Sequence, residues 1–458
     1  MARLSYFTSL LVLTVAAMAG AATARAGETP LTFGPMLYEQ LDPPFGPTMF
    51  RLRDIDHDGF VDVLIAGRDP DDKLMTRRGL GNGHFEPFQT LIAPGFVDWL
   101  ELEDVDGDGA EDIVAAWRGD VPTLVCYRGI GGGLFEEATV LADVVQAGVG
   151  RDPQSVALGD YDQDGDLDIA VCNYIGQSID LFDNRGALSF ERVARVRLAT
   201  FLGGVAFPRI VAPGDIDGDG DLDLIVNEIG GGRVAVLRNA GGRFSNPREY
   251  RAPQIGTERP GIAGMQLVDV DGDGDLDVVC PALLLEITQK IIWFVNDGTG
   301  GLSERIVGEG SPSGYVFSVH LADLDDDGDL DALSGAALPG TIAVGRCTAA
   351  GDFNFEIDIA LQFGQLIRHL DAVDVDGDCD LDLVGIDGPG RTLFTRRNTT
   401  PQAGCGGGVA AADAPTPSRS GTVRVKPIRE IVPRSDRNGD GVFDASDIAA
   451  WLAEGAGR

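Results

Sequence analysis

The chain has 458 residues, 72 of them Asp or Glu against 36 Lys or Arg, for a formal net charge of −36. That acidity argues against DNA, RNA or an anionic membrane surface as a partner. A hydrophobic fraction of 44% supplies ample material for packing, and the length exceeds that of a usual single core.

From the N-terminus, residues 1–26 read as a signal peptide. Arg3 supplies a positive start, and Leu10 to Ala22 form an apolar stretch too short to span a membrane. Ala22-Thr23-Ala24 and Ala24-Arg25-Ala26 both offer small-residue cleavage sites. No later stretch reaches the length of a transmembrane helix. The expectation is a monomer that is secreted, whether extracellular, on the cell surface or in a periplasm. Next, Leu31-Thr32-Phe33-Gly34-Pro35-Met36-Leu37-Tyr38 reads as a strand with no unit of its own.

The sequence then writes Asp-x-Asp-x-Asp-Gly-x-x-Asp seven times, at spacings of 50, 56, 55, 54, 54 and 51 residues. Positions one, three, five and nine are Asp54, Asp56, Asp58 and Asp62 in the first loop, with Phe60 at seven. The second has Asp104, Asp106, Asp108 and Asp112 with Ala110, and the third Asp160, Asp162, Asp164 and Asp168 with Asp166. The fourth has Asp215, Asp217, Asp219 and Asp223 with Asp221, and the fifth Asp269, Asp271, Asp273 and Asp277 with Asp275. The sixth has Asp323, Asp325, Asp327 and Asp331 with Asp329, and the seventh Asp374, Asp376, Asp378 and Asp382 with Asp380. Position seven can add its backbone carbonyl, and glycine at position six permits the positive-φ turn that wraps the chain around an ion. Hard carboxylate oxygens without His or Cys favour Ca²⁺ over Zn²⁺ or Mg²⁺. Loop seven departs, with Cys379 in place of the glycine; a Cβ in a left-handed conformation costs about 1 kcal/mol. Seven divalent ions would offset less than half of the net charge, so folding is expected to depend on calcium.

An EF-hand needs an acid at position twelve and a helix beyond it. Here position twelve is Ile65, Ala115, Val171, Val226, Cys280, Ser334 or Gly385, and strand-like runs such as Val63-Leu64-Ile65 follow. Strands also enter the loops, as in Met265-Gln266-Leu267-Val268, so each loop is read as a β-hairpin turn. A third run follows, such as Thr123 to Tyr127, Val234 to Leu237 or Ile291 to Val295. A fourth is opened by Phe85, Phe135, Phe190, Phe244, Leu302 or Phe355. Four antiparallel strands per fifty or so residues make a β-propeller blade. The last unit lacks a fourth strand after Arg391 to Thr395, so the N-terminal run is expected to close the ring. The fold class is all-β: a seven-bladed propeller over residues 31–400, each blade carrying its own core.

Residues 31–398 resemble FG-GAP/VCBS repeats, the calcium-loop blades of integrin α-chain propellers and many bacterial secreted proteins. Phe33-Gly34 and Ala212-Pro213-Gly214 are degenerate traces of the other family marks. The resemblance implies about seven bound Ca²⁺ ions.

Residues 401–433, with Gly404 to Gly408 and Ala414-Pro415-Thr416-Pro417-Ser418, read as a flexible linker. Residues 434–458 hold a different loop, with Asp436, Asn438, Asp440, Asp444 and Asp447 at positions one, three, five, nine and twelve and Val442 at seven. Ile448, Trp451 and Leu452 follow at helical spacing, predicting a small α EF-hand-like tail with one further Ca²⁺. This tail resembles half of a dockerin, which implies a cohesin-like partner; a calcium cap or sorting tag is the plainer alternative.

No catalytic arrangement emerges. His57, His84, His320 and His369 form no pair or nucleophile motif, and no zinc, phosphate-loop or Gly-x-Ser-x-Gly pattern occurs. Cys126, Cys172, Cys280, Cys347, Cys379 and Cys405 leave disulfide connectivity open. A ligand face is expected opposite the aspartate loops. It would collect Arg68, Trp99, Trp117, Arg118, Asp120, Asn173, Tyr174, Arg209, Asn227, Glu258, Arg259 and Tyr315. Three readings follow: a non-catalytic binding or scaffold module for an extracellular protein or glycan, a polysaccharide lyase or glycoside hydrolase, or a structural surface protein.

Overall fold

The apolar runs on either side of each aspartate loop form paired strands. The ninth-position aspartate begins the second strand every time, from Asp62–Arg68 to Asp382–Asp387. The computed structural model describes residues 31–41, 46–68, 73–92, 96–118, 123–141, 152–198, 207–229, 231–255, 260–283, 290–308, 316–336, 341–347, 353–360, 367–387 and 391–400. The leader, linker and C-terminal loop expected from the sequence lie outside them. Within them the strands form seven antiparallel sheets, the blades of a β-propeller.

Blade one runs Gly46–Arg53, Asp62–Arg68, Lys73–Gly79 and Phe85–Ile92, in that order from the centre outward. The first strands of adjacent blades touch, which places them around the central channel. Among the described residues, blade seven has three strands of its own. Its fourth is the N-terminal Phe33–Gln40, antiparallel to Thr392–Asn398, with Leu37 opposite Thr395 and Gln40 opposite Thr392. The ring is thus closed by joining the two ends of the repeat region. Thr399 N–H donates to the Thr32 carbonyl (2.7 Å) and Leu41 N–H to that of Arg391 (2.8 Å).

The core is not divided blade by blade, which corrects the sequence expectation. It consists of seven clusters, each lying between two neighbouring blades. Leu64, Leu74 and Leu91 of blade one, for example, pack on Leu100, Ile113 and Val125 of blade two. The cause is geometric: a twisted four-stranded sheet is apolar on both faces, and each face needs a partner sheet. Second strands such as Asp168–Asn173 are buried along their whole length. Fourth strands such as Phe190–Arg197 begin on a buried residue and then alternate between exposed and half-buried at the rim.

Three outer strands differ from expectation. In blade four pairing begins at Arg248 rather than Phe244, because Pro247 has no N–H to donate. In blade two Phe135 makes an isolated bridge to Gly129, and the strand proper is Thr139–Val140. In blade six the strand begins at Phe353, two residues before Phe355.

Each seam is also pinned near the channel. Arg51 pairs with Glu101 (3.0 Å), Gln154 donates to Asp98 (3.3 Å), and Val211 N–H donates to Ser155 Oγ (3.0 Å). Asn227 donates to the Gly264 carbonyl (3.3 Å), Gln266 exchanges two bonds with Leu321, and His320 reaches Asp371 (3.2 Å). His369 closes the circle against the Phe50 ring, with centroids 4.7 Å apart.

Candidate metal loops and channel mouth

All seven aspartate loops share one backbone geometry. The first aspartate gathers N–H groups from positions four to six: Asp54 accepts from Asp58 and Gly59 at 3.1 and 3.0 Å, and Asp215 from Asp219 and Gly220 at 3.1 and 3.0 Å. Position six is left-handed throughout, from φ +91° at Gly109 to +102° at Gly165, and Cys379 is held at +75°. Cys379 is disulfide-bonded, whereas Cys126, Cys172 and Cys280 are buried thiols. Position four is left-handed as well, occupied by His57, Gln163 and Asp326 with φ between 56° and 62° and by glycine in the other loops. The sequence hinted at this second turn only through those glycines.

The folding of each loop turns its carboxylates toward one point. Oxygens of Asp54, Asp56 and Asp58 lie within 4.8 Å of one another, as do those of Asp104, Asp106 and Asp108, and of Asp215, Asp217 and Asp223. Oδ1 of Asp217 and of Asp376 is buried without a hydrogen-bond partner. An orphaned buried oxygen is costly unless something fills its place. Converging carboxylates with unmet acceptors fit a hard, oxygen-seeking cation.

The ninth aspartate has a second duty that the motif does not announce. Asp62 accepts Ile55 N–H from its own loop (3.0 Å) and Gly79 N–H from the end of the third strand (2.8 Å). Asp223 does the same with Ile216 (3.2 Å) and Asn239 (2.6 Å). Burial pushes these carboxyls up, Asp62 and Asp277 to about 6, Asp168, Asp223 and Asp382 to about 7 and Asp331 to about 8. A divalent ion among them would favour the charged form instead.

The residue that follows the third strand's last core position carries a further brace. Asn184, Asn239, Asn296 and Asn398 each donate through Nδ2 to the position-two carbonyl of the preceding blade's loop, at 3.1, 2.7, 2.8 and 2.8 Å. Blades one and two have Gly79 and Gly129 there, because a Cβ would meet the Val61 or Glu111 carbonyl at 2.1 or 2.2 Å.

At the opposite end of the channel lies a cavity of about 110 Å³. Its wall comes from the starts of the first strands, where blades one, two, three, four, six and seven all break register; examples lie between Pro47 and Met49 and between Val97 and Trp99. Such bulges re-aim side chains. Asp98, Trp99, Gln154, Arg209, His320 and His369 are among the lining residues. Trp99 is fixed by the Arg51 guanidinium 4.9 Å from its ring centroid and by its Nε1–H donating to Glu101 (2.6 Å). Nδ1 of His369 is buried without a hydrogen-bond partner. Burial, with smaller contributions from Arg51 and His320, pushes this imidazole down to about 3, so it is neutral.

Of the expected ligand-face residues, Trp99 and Arg209 line this cavity. Asn173 and Asn227 are fully buried, and Asn227 serves as a seam pin rather than a surface group. Trp117 packs against the core between blades one and two, and Tyr174 stacks on Phe207. Asp120, Glu258, Arg259 and Tyr315, and the side chains of Arg68 and Arg118, lie outside the described residues. Sequence reading missed Asp98, Gln154, His320 and His369, whose signal was their place at the start of each loop-entering strand.

The FG-GAP-like repeat profile matches residues 54–115, 104–171, 160–226 and 215–280. The chain carries FG-GAP-like repeats on a seven-bladed propeller. The matched stretches join the first five aspartate loops, and the loops at Asp323 and Asp374 repeat the same backbone bonds beyond them. No curated protein matches the chain. Among solved structures, an Agrocybe aegerita lectin described as recognising non-reducing terminal N-acetylglucosamine is similar. It has 19% identity and a TM-score of 0.51, covering 73% of this chain and 88% of that one. BBS1N in complex with ARL6DN is similar at 11% identity and a TM-score of 0.53, covering 81% and 98%. At such identities the likeness is one of fold. No helix among the described residues is long and apolar enough to cross a membrane.

Proposed function

We propose that this is a secreted, calcium-stabilised propeller that binds an extracellular protein or glycan through its channel mouth, without catalysis. The seven FG-GAP-like loops would each hold one Ca²⁺ through their first, third, fifth and ninth aspartates and the position-seven carbonyl, as structural staples. The leader at 1–26 would direct export, and the loop at 434–458 would be a separate calcium element beyond the 401–433 linker.

The observation that carries the binding role is the cavity opposite the loops. It places the rigid Trp99 beside Asp98, Gln154, Arg209 and His369. A fixed aromatic wall with a few convergent polar groups is the usual build of a small-ligand or sugar site. At about 110 Å³, the cavity is smaller than the roughly 300–1,000 Å³ sites that enclose drug-sized ligands. It would therefore receive the end of a ligand, such as one terminal sugar or one side chain. Glycan-array binding in the presence of calcium tests this, with Trp99→Ala and Arg209→Ala as probes. Binding that both substitutions abolish is expected; ligands captured equally well by both variants would place the site elsewhere.

A further inference from the structure

One residue near the end of each third strand, just before the one whose N–H reaches the ninth aspartate in six blades, has a common place in the structure. It is Arg78, Arg128, Arg238, Arg346 or Arg397 in five blades, Val295 in blade five and Asp183 in blade three. Each arginine reaches the third aspartate of its own loop. Arg78 lies 2.6 Å from Asp56, Arg238 3.1 Å from Asp217, Arg346 3.1 Å from Asp325, and Arg397 3.2 Å from Asp376. In blade two the guanidinium sits between two carboxylates, 2.5 Å from Asp106 Oδ2 and 2.6 Å from Asp108 Oδ2. A positive group therefore occupies a position just outside the loop, against the third and fifth aspartates.

Blade three reverses the charge at that position. Asp183 is 8% exposed, and its Oδ1 is buried with no hydrogen-bond partner. Oxygens of Asp162, Asp164 and Asp183 lie within 4.8 Å of one another, a group separate from that of Asp160, Asp162 and Asp168 in the same loop. Arg185 takes only the other oxygen, Oδ2, at 3.0 Å, and shares itself with Glu191 at 2.9 Å. Three carboxylates thus converge on the spot that a guanidinium fills in blade two.

We propose that blade three holds a second, outer cation site formed by Asp162, Asp164 and Asp183, which takes Ca²⁺ where the arginine-bearing blades are self-neutralised. Asp162 and Asp164, which are also the third- and fifth-position ligands of the inner ion, bridge the two. The all-oxygen donor set, with Asp162 and Asp164 open to water for the remaining ligands, suits Ca²⁺ and its flexible coordination. Blade five has Val295 at this position, neither guanidinium nor carboxylate.

This inference rests on the loops being cation cages. The test is calcium uptake by the full chain, measured by equilibrium dialysis and calorimetry, for the wild type, Asp183→Asn and Asp183→Arg. Each variant is expected to bind one Ca²⁺ fewer than the wild type. Asp183→Arg rebuilds the blade-two arrangement and carries the test if Asp183→Asn fails to fold. Folded variants with the wild-type number of ions would overturn the outer site alone. A wild type that takes up no calcium would overturn the reading of the loops with it.

Discussion

Replacing Asn239 by Ala removes a side chain that holds two blades together. Asn239 is 3% exposed, and its Nδ2 donates to the Tyr161 carbonyl of blade three at 2.7 Å and to the Leu222 carbonyl of its own loop at 3.1 Å. Truncation leaves both acceptors without a donor. The Tyr161 carbonyl is buried and should cost about 1–3 kcal/mol, whereas the bond to Leu222 is only part-buried and should cost about 1 kcal/mol. The sum, about 2–4 kcal/mol, is large against the stability of an ordinary domain, about 5–15 kcal/mol. The backbone N–H that reaches Asp223 at 2.6 Å survives the substitution, so the loop itself should keep its shape. Urea unfolding at saturating calcium, read by tryptophan fluorescence, should show the midpoint falling while calcium stoichiometry is unchanged. A change below about 0.5 kcal/mol, the range of ordinary surface substitutions, would refute the claim that this amide braces the seam.

Ring closure makes a second prediction: Leu41→Ala, at a fully buried position in the core between blades seven and one, should cost about 2–5 kcal/mol. The exposed Leu80→Ala serves as control, and equal melting of the two variants would contradict closure. His369 makes the third. Its folded value of about 3 lies below the unfolded value of about 6.5, so the unfolded chain takes up the proton first. Its contribution is full above about pH 6.5 and falls away toward pH 3, the loss reaching at most about 2 kcal/mol by pH 5. His369→Phe should flatten the stability profile over that interval, and an unchanged slope would refute it. For Cys379→Gly, relief of the left-handed strain should return about 1 kcal/mol, against about 2–4 kcal/mol lost with the disulfide. The variant should therefore be less stable than the wild type when oxidised and more stable when both are reduced; the same sign in both conditions would refute the balance.

The architecture was legible because its signals are local. Aspartates and glycine at fixed spacing mark a hairpin turn, and the lone run at Leu31 to Tyr38 with a last unit missing its outer strand implied closure between Phe33–Gln40 and Thr392–Asn398. The features that escaped the sequence depend on contacts between blades. Asn239 bonds a carbonyl 78 residues away, and His369 meets Phe50 where the two ends of the repeat region come together. Neither pairing has a spacing that a motif can encode. The placement of the core between blades escapes the sequence for the same reason: an apolar run says that a strand is buried but not which sheet covers it. Asn173 and Asn227, expected on a ligand face as groups able to hydrogen-bond a sugar, are fully buried, and Asn227 satisfies a neighbouring blade's backbone.

The central claim is that the aspartate loops are calcium staples, and thermal unfolding with and without calcium tests it most directly. A site filled at a hundred times its dissociation constant adds about 2.7 kcal/mol, and several such loops acting on one ring should move the transition by many degrees. The account predicts that EDTA lowers the melting temperature sharply or abolishes the folded state, and that added Ca²⁺ restores it. Superimposable melting curves in EDTA and in calcium would contradict it.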